Sequence, residues 1–181
     1  RHGCTVSYKP TPLRMVFDET GGLPLPKRHP VRQRYRIFEL QRWRAKRSLP
    51  LVIHPKHFPF DVSLADRTVL AINAAGGNPA GFVGDVLAGV WARDENLSRP
   101  ELIAEIAGRA GFDGPALLQA AGSEAIVERY AATINEAIEA GVFGAPSYVL
   151  DGEVFWGQDR LDLLEDALAS GRAAYRNDAA V

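Results

Sequence analysis

The sequence predicts an α/β fold in which helices outnumber strands. Three observations lead to this class. Residues 5–8, near the N-terminus, have the alternation that is typical of a strand. Helical patterns fill the middle of the chain, and residues 141–161 have the pattern of a β-hairpin set between two helices.

The closing hairpin has the clearest signals. Gly141 ends a helix, and Pro146 then precedes an apolar strand. The Asp-Gly pair at 151–152 supplies the two positive-φ positions of a type I′ turn. The second strand follows over 154–156, and the polar pair at 158–159 opens a last helix.

Pro146 also carries a prediction about the backbone. Proline cannot donate to a β ladder, so the backbone of Ala145 is expected to turn toward something other than the sheet. A cis bond between Ala145 and Pro146 would produce this orientation. The residues alone leave the isomer of this bond open, because cis bonds are a small minority of X-Pro bonds in folded proteins.

The middle of the chain is predicted as follows. A long loop rich in Gly and Pro over 13–30 is followed by helices at 31–48, 64–75, 79–92, 99–110 and 124–140. Ser98 and Glu101 have the spacing of a capping box for the fourth helix. The apolar positions expected to face a core are Val31, Tyr35 and Phe38, with Ile37 and Leu40 on a second stripe; Ile126, Tyr130, Ile134 and Ile138; and Leu161, Leu164 and Leu168.

Composition limits the function classes. The net charge is −1, and no apolar run approaches the roughly 20 residues that span a bilayer, so we expect a soluble protein with no membrane contact. The single cysteine, Cys4, rules out an internal disulfide and favours a reducing, cytoplasmic location. Nine of the 21 Lys and Arg residues lie within 27–47 against one acid, Glu39. We interpret them as a solvated face or a funnel for anionic substrates, and not as a nucleic-acid surface.

Residues 141–161 contain the runs Gly-Val-Phe-Gly-Ala-Pro-Ser and Asp-Gly-Glu-Val-Phe-Trp-Gly-Gln-Asp-Arg-Leu. These runs are similar to the sequences of the 2-hydroxychromene-2-carboxylate isomerase family. Those proteins are relatives of kappa-class glutathione transferases and of the disulfide oxidoreductase DsbA. Weaker similarity covers 8–10, 55–59 and 91–94. The resemblance implies a thioredoxin-like fold with a large α-helical insertion. It also implies a cis bond between Ala145 and Pro146 that turns the Ala145 backbone toward a ligand.

This fold implies a division of the chain. Residues 1–30 are expected to be thioredoxin-like, 31–122 the helical insertion, 123–171 the second thioredoxin-like part, and 172–181 a tail. The segment Arg1-His2-Gly3 has the pattern of a last helical turn with a glycine C-cap. The first strand and helix of the fold are therefore expected to be missing from this sequence.

The resemblance also implies a glutathione site. The backbone of Ala145, before Pro146, would pair with the cysteinyl residue, while Gln158 and Asp159 would hold the γ-glutamyl end. Lys9 would meet the glycine carboxylate or an anionic substrate. The alternative is that Gln158 is a helix cap, Asp159 a first-turn charge and Lys9 a solvated lysine.

Substrate-pocket candidates are His54, Phe58 and Trp156. A metal site is not expected, because Pro55 prevents a helical turn from joining His54 to His57 and no third ligand lies nearby. Cys4 does not lie at a helix N-terminus, where a thiolate is stabilised, so it is not the expected nucleophile. In the family that position belongs to a serine near the start of the first helix, which no residue here matches.

The sequence therefore predicts a glutathione-dependent isomerase that acts on a small anionic substrate derived from an aromatic compound, within aromatic catabolism. The resemblance implies a homodimer. Two alternatives remain: a DsbA-like thiol-disulfide oxidoreductase, which requires a Cys-x-x-Cys upstream, and a non-catalytic thioredoxin-like scaffold.

Overall fold

The computed structural model describes residues 2–176, which contain eight α-helices and one β-hairpin. The helices are α1 Leu13–Thr20, α2 Pro30–Lys46, α3 Ser63–Ala74, α4 Ala80–Trp91, α5 Pro100–Arg109, α6 Gly114–Ala121, α7 Glu124–Glu139 and α8 Leu161–Ser170. The strands are β1 Ser147–Leu150 and β2 Glu153–Trp156, and short 3-10 turns occupy Leu25–Lys27 and Gln158–Arg160.

The chain forms two compact units. The helical unit comprises Tyr8–Pro10 and Leu25–Ala131. The hairpin unit comprises, within the described residues, 2–7, 11–24 and 132–176. The predicted domain limits at 30, 122 and 171 stay a prediction, and residues 177–181 of the predicted tail lie outside the described residues.

The predicted hairpin is confirmed. β1 and β2 pair antiparallel, with Ser147 opposite Trp156 and Leu150 opposite Glu153. Asp151 and Gly152 have φ values of 52° and 86°, as a type I′ turn requires. The five helices predicted in the middle of the chain are present as α2, α3, α4, α5 and α7, within two residues of the expected ends.

Two helices were not predicted. The 13–30 segment, expected to be a loop, contains α1, in which Val16 is fully buried and Gly21 ends the helix in the left-handed conformation. The Gly and Pro residues on both sides of α1 obscure its helical pattern in the sequence. α6 begins after Asp113, whose carboxylate accepts a hydrogen bond from the Ala116 amide at 3.0 Å.

Two predicted local structures are wrong. Residues 5–8 form no strand, and the only ladder among the described residues joins β1 to β2. A strand needs a hydrogen-bonded neighbour, which these residues lack. The capping box is also absent: α5 has Arg99 at its N-cap with no side-chain bond, while the Ser98 amide donates to Asn96.

The expected apolar stripes are buried less than predicted. Val31, Tyr35 and Phe38 are each more than half exposed, and no residue of α2 is buried. Leu161 is also exposed, whereas Leu164 and Leu168 are half-buried. The predicted stripe on α7 is half-buried, and the buried residues of this helix are Thr133 and Ala137, which lie outside the stripe. The periodicity of a helix predicts which face is apolar, but it does not predict which other element packs on that face.

The core of the helical unit lies among α3, α4, α5 and α6. Its fully buried large side chains are Ile72, Phe82, Ile103 and Ile106. α5 and α6 approach each other so closely that a side chain at Gly114 would collide with the backbone of Ala104. This core is large enough to hold the unit together by burial of apolar surface.

A tyrosine and an aspartate form a hydrogen bond between two helices of this unit. The Tyr130 hydroxyl on α7 donates to Asp66 Oδ2 on α3 at 2.7 Å. Burial raises the pKa of the Asp66 carboxyl, and the hydrogen bond from Tyr130 opposes that rise. A carboxyl whose pKa is raised by folding stabilises the fold most in its protonated form, so this contribution is lost as the pH rises through that pKa.

We expect Tyr130→Phe to lower the free energy of unfolding by about 1 to 3 kcal/mol at pH 7, because Asp66 loses its donor. The loss should be smaller at pH 4, where Asp66 is more fully protonated. Urea unfolding at both pH values measures this, with Tyr148→Phe on β1 as the control. Equal losses at the two pH values would contradict the assigned role of the carboxylate.

Candidate functional site at the open end of the hairpin

The candidate site is built where β1 begins and β2 ends. The Ala145–Pro146 bond is cis, as predicted. The Gly157 amide donates to the Pro146 carbonyl at 2.9 Å, and Ser147 Oγ donates to the Gly144 carbonyl at 2.7 Å. These bonds hold Pro146 beside the residue that precedes Gln158, so the structure brings the two predicted halves of the glutathione site together.

Gly157 connects the end of β2 to Gln158 and Asp159, the second half of the predicted glutathione site. Its φ of 108° is one that side chains rarely adopt, and an added Cβ would collide with Asp159 Oδ1. The Asp159 carboxylate therefore folds back over the Gly157 backbone. Glycine is required here because both its conformation and the nearby carboxylate exclude a side chain.

Gln158 and Asp159 do not open an α-helix directly, which corrects the prediction. They lie in the 3-10 turn, and α8 begins at Leu161. Asp159 Oδ2 accepts a hydrogen bond from Arg160 Nη1 at 2.7 Å. About half of the Asp159 side chain is exposed (47%), so its carboxylate is accessible to a ligand cation.

Trp156 forms an aromatic pair at the same end of the hairpin. Its ring centroid lies 4.8 Å from that of Phe143, at an angle of 59°. Both side chains are partly exposed, Trp156 by 51% and Phe143 by 44%. A Cβ on Gly144 would lie 2.5 Å from Trp156 Nε1, so the indole covers Gly144. Phe143 was not predicted as a site residue, although it lies in the Gly-Val-Phe-Gly run.

An open groove of 520 Å³ runs along β2 and α8 in the hairpin unit. Its lining includes Trp156, Leu163 and Tyr175. Arg172 donates to both carboxylate oxygens of Glu153, at 2.7 and 2.9 Å, and these bonds lower the pKa of Glu153. Arg172 and Glu153 therefore neutralise each other within the groove.

The other predicted residues belong to the helical unit. Lys9 and His54 are exposed, and Phe58 is 42% exposed. The ring centroid of Phe58 lies 4.8 Å from that of Trp91. Their roles in binding stay predictions.

Two hydrogen bonds donated by backbone amides position the loop that carries Phe58. The Val52 amide donates to the Trp91 carbonyl at 2.6 Å, and the Lys56 amide donates to Asp94 Oδ1 at 2.7 Å. Both bonds fasten the loop to the end of α4. Trp91 and Asp94 were not predicted as site residues, although the similarity over 91–94 included them.

Comparison with known proteins shows to which family the chain belongs. The DSBA-like thioredoxin domain family matches residues 1–169. A 2-hydroxychromene-2-carboxylate isomerase of Sphingobium xenophagum is 31% identical over 93% of this chain and 85% of the relative. One from Pseudomonas putida is 30% identical over 97% of this chain and 84% of the relative. The chain belongs to the 2-hydroxychromene-2-carboxylate isomerase family.

The fold agrees with this family. A solved structure of a 2-hydroxychromene-2-carboxylate isomerase superposes with a TM-score of 0.75 and 30% identity, over 92% of this chain and 80% of that chain. The predicted class is therefore confirmed as a DsbA-like thioredoxin fold, rich in helices and with a small sheet. Isomerase relatives support an enzymatic, isomerase role for the chain.

Other candidate chemistry is limited. Cys4 is a free, exposed thiol, and its Sγ lies 3.7 Å from the His2 carbonyl oxygen. The described residues contain no cluster of three side chains suited to a metal ion. None of the helices described is both long and apolar enough to cross a membrane.

Proposed function

We propose that the chain is a glutathione-dependent isomerase of 2-hydroxychromene-2-carboxylate or a closely similar aromatic-derived anion, and that it works in the cytoplasm in the breakdown of aromatic compounds. The main support is its similarity to isomerases over more than nine tenths of the chain. The arrangement at the end of the hairpin supports the cofactor, and a single free cysteine fits the location.

The proposed glutathione contacts lie in the hairpin unit. Ala145 and Pro146 are exposed, which leaves the Ala145 backbone accessible to pair with the cysteinyl residue. Asp159 accepts from the γ-glutamyl ammonium group, and the Gln158 amide binds the adjoining carboxylate. An ammonium and a carboxylate on one carbon atom need an acceptor and a donor side by side, and this polar pair supplies both.

Glutathione bound there would supply a thiolate that acts as a transient nucleophile toward the conjugated system of the substrate. Ala145 and Pro146 would hold the cysteinyl residue that carries this sulfur, and Gln158 and Asp159 would hold the γ-glutamyl end. Lys9, His54, Phe58 and Trp156 stay predictions for contacts to the anionic, aromatic-derived substrate.

The test is the isomerisation of 2-hydroxychromene-2-carboxylate by the full-length protein, followed by absorbance with and without reduced glutathione. We expect turnover only with glutathione. Equal turnover without it would remove the cofactor from the proposal. Reduction of insulin disulfides without isomerisation would favour the oxidoreductase alternative.

We also propose a homodimer, because α2 leaves an apolar stripe uncovered at Val31, Tyr35 and Phe38. Arg42 lies across two of these side chains, with its guanidinium carbon 5.8 Å from the Tyr35 ring centroid and 5.9 Å from that of Phe38. Partner contacts would remove this surface from water.

Phe38→Asp is expected to weaken dimerisation at least tenfold, because it places a charge in the apolar stripe. Sedimentation velocity over a concentration series measures the change. Leu87→Asp, at an exposed apolar position on α4, is the matched control and should leave the dimer intact. A dimer that is equally stable in both variants would place the interface elsewhere.

A further inference from the structure

An arginine and two aromatic rings lie close together within the helical unit. The Arg36 guanidinium carbon lies 5.9 Å from the ring centroid of Trp91. The ring centroid of Phe58 lies 4.8 Å from that of Trp91, at an interplanar angle of 48°. Trp91 also packs on the helical core, which fixes the position of its ring.

Arg36 combines partial burial with the lack of an ion pair among the described residues. Arg42 on the same helix pairs with Glu39 at 2.5 Å, and Arg93 beyond α4 pairs with Asp85 and Glu95. Among the residues described, no carboxylate lies within ion-pair distance of Arg36. Arg36 is nonetheless half-buried. Its burial and the nearby charge of Arg28 both lower its pKa.

This environment favours an anion. A half-buried guanidinium that has lost part of its hydration, and that is close to a second cation, gains more from an incoming carboxylate than an exposed arginine does. The exposed part of the Phe58 ring and the half-buried Trp91 provide an apolar surface beside it. A planar aromatic ring packs favourably on such a pair.

We infer that Arg36, Trp91 and Phe58 form a binding site for a planar aromatic carboxylate, in which Arg36 binds the carboxylate and the two rings contact the aromatic body. The identification of this ligand as the isomerase substrate rests on the proposed function. The binding site itself does not, because it is defined by two ring surfaces and by a guanidinium that has no ion pair among the described residues, all within one unit.

A purely structural role for Arg36 is the competing explanation, since its stacking on Trp91 also joins α2 to α4. Arg36→Met separates the two explanations. Methionine keeps the length of the side chain and its packing on the indole ring, but it cannot bind a carboxylate. Arg34→Met, at an exposed position of the same helix, is the matched control.

Binding is measured with 2-naphthoate by the fluorescence of Trp91, in a background where Trp43→Phe and Trp156→Phe leave it as the only tryptophan. We expect saturable quenching, an affinity reduced at least tenfold by Arg36→Met, and partial recovery with Arg36→Lys. Cyclohexanecarboxylate should bind more weakly than the aromatic acid. Wild-type affinity in Arg36→Met, with an unchanged melting temperature, would overturn the inference, as would an unresponsive Trp91.

Steady-state kinetics of Arg36→Met in the protein that retains all three tryptophans separates this inference from the proposed function. Arg36→Met should raise the KM for 2-hydroxychromene-2-carboxylate at least tenfold, while kcat and glutathione affinity stay within twofold. Failure of isomerisation together with Arg36-dependent binding of 2-naphthoate would count against the function alone. Normal isomerisation with an unchanged KM in Arg36→Met would count against the inference alone.

Discussion

Asp159→Ala is expected to weaken the binding of reduced glutathione by about 1 to 3 kcal/mol, roughly 5- to 150-fold. The variant removes the carboxylate that faces the γ-glutamyl ammonium group in the proposed complex and leaves that charge without a partner. It also releases Arg160, but Arg160 is exposed, so water can solvate the freed guanidinium. The effect should therefore be on the ligand more than on the fold.

Isothermal titration calorimetry with reduced glutathione measures this loss. Gln158→Ala should show a loss of similar size, because it removes the proposed donor to the ligand carboxylate. Asp162→Ala is the matched control, since Asp162 is also acidic and exposed but lies in the first turn of α8. Unchanged affinity in both Asp159→Ala and Gln158→Ala would place the ligand elsewhere.

The hairpin and its neighbouring site could be predicted because their signals are local. The Asp-Gly pair selects the turn, and the turn fixes the register that places Ser147 opposite Trp156. Once the register is set, Pro146 and Gly157 must lie side by side. The local residue order therefore accounts for the backbone arrangement at this end of the hairpin, whereas the 3-10 turn at Gln158–Arg160 and the ring of Phe143 were not predicted.

Other features could not be predicted because they depend on residues far apart in the chain. The stripe on α2 has the periodicity of a core face, yet the structure leaves it exposed. Arg36 and Trp91 are separated by more than fifty positions, so nothing local marks them as neighbours. α1 and α6 are only eight residues each, too short for periodicity to stand out among glycines and prolines.

Gly114 gives the sharpest test of the packing in the helical unit. It is the first residue of α6, where an alanine would ordinarily be favourable for the helix. An added Cβ, however, would collide with the Ala104 carbonyl oxygen and lie 2.8 Å from the carbonyl carbon. These are backbone atoms of α5, so the two helices would have to move apart.

We expect Gly114→Ala to lower the free energy of unfolding by about 1 to 3 kcal/mol, because overpacking between the helices outweighs the gain in helix propensity. Gly108→Ala on α5 is the matched control, since its Cβ would meet no atom within 4 Å. That variant should be neutral or stabilising by up to about 1 kcal/mol. Urea unfolding followed by circular dichroism measures both. Equal stabilities for the two variants would mean that α5 and α6 separate at little cost, and that the close contact at Ala104 does not hold the core together.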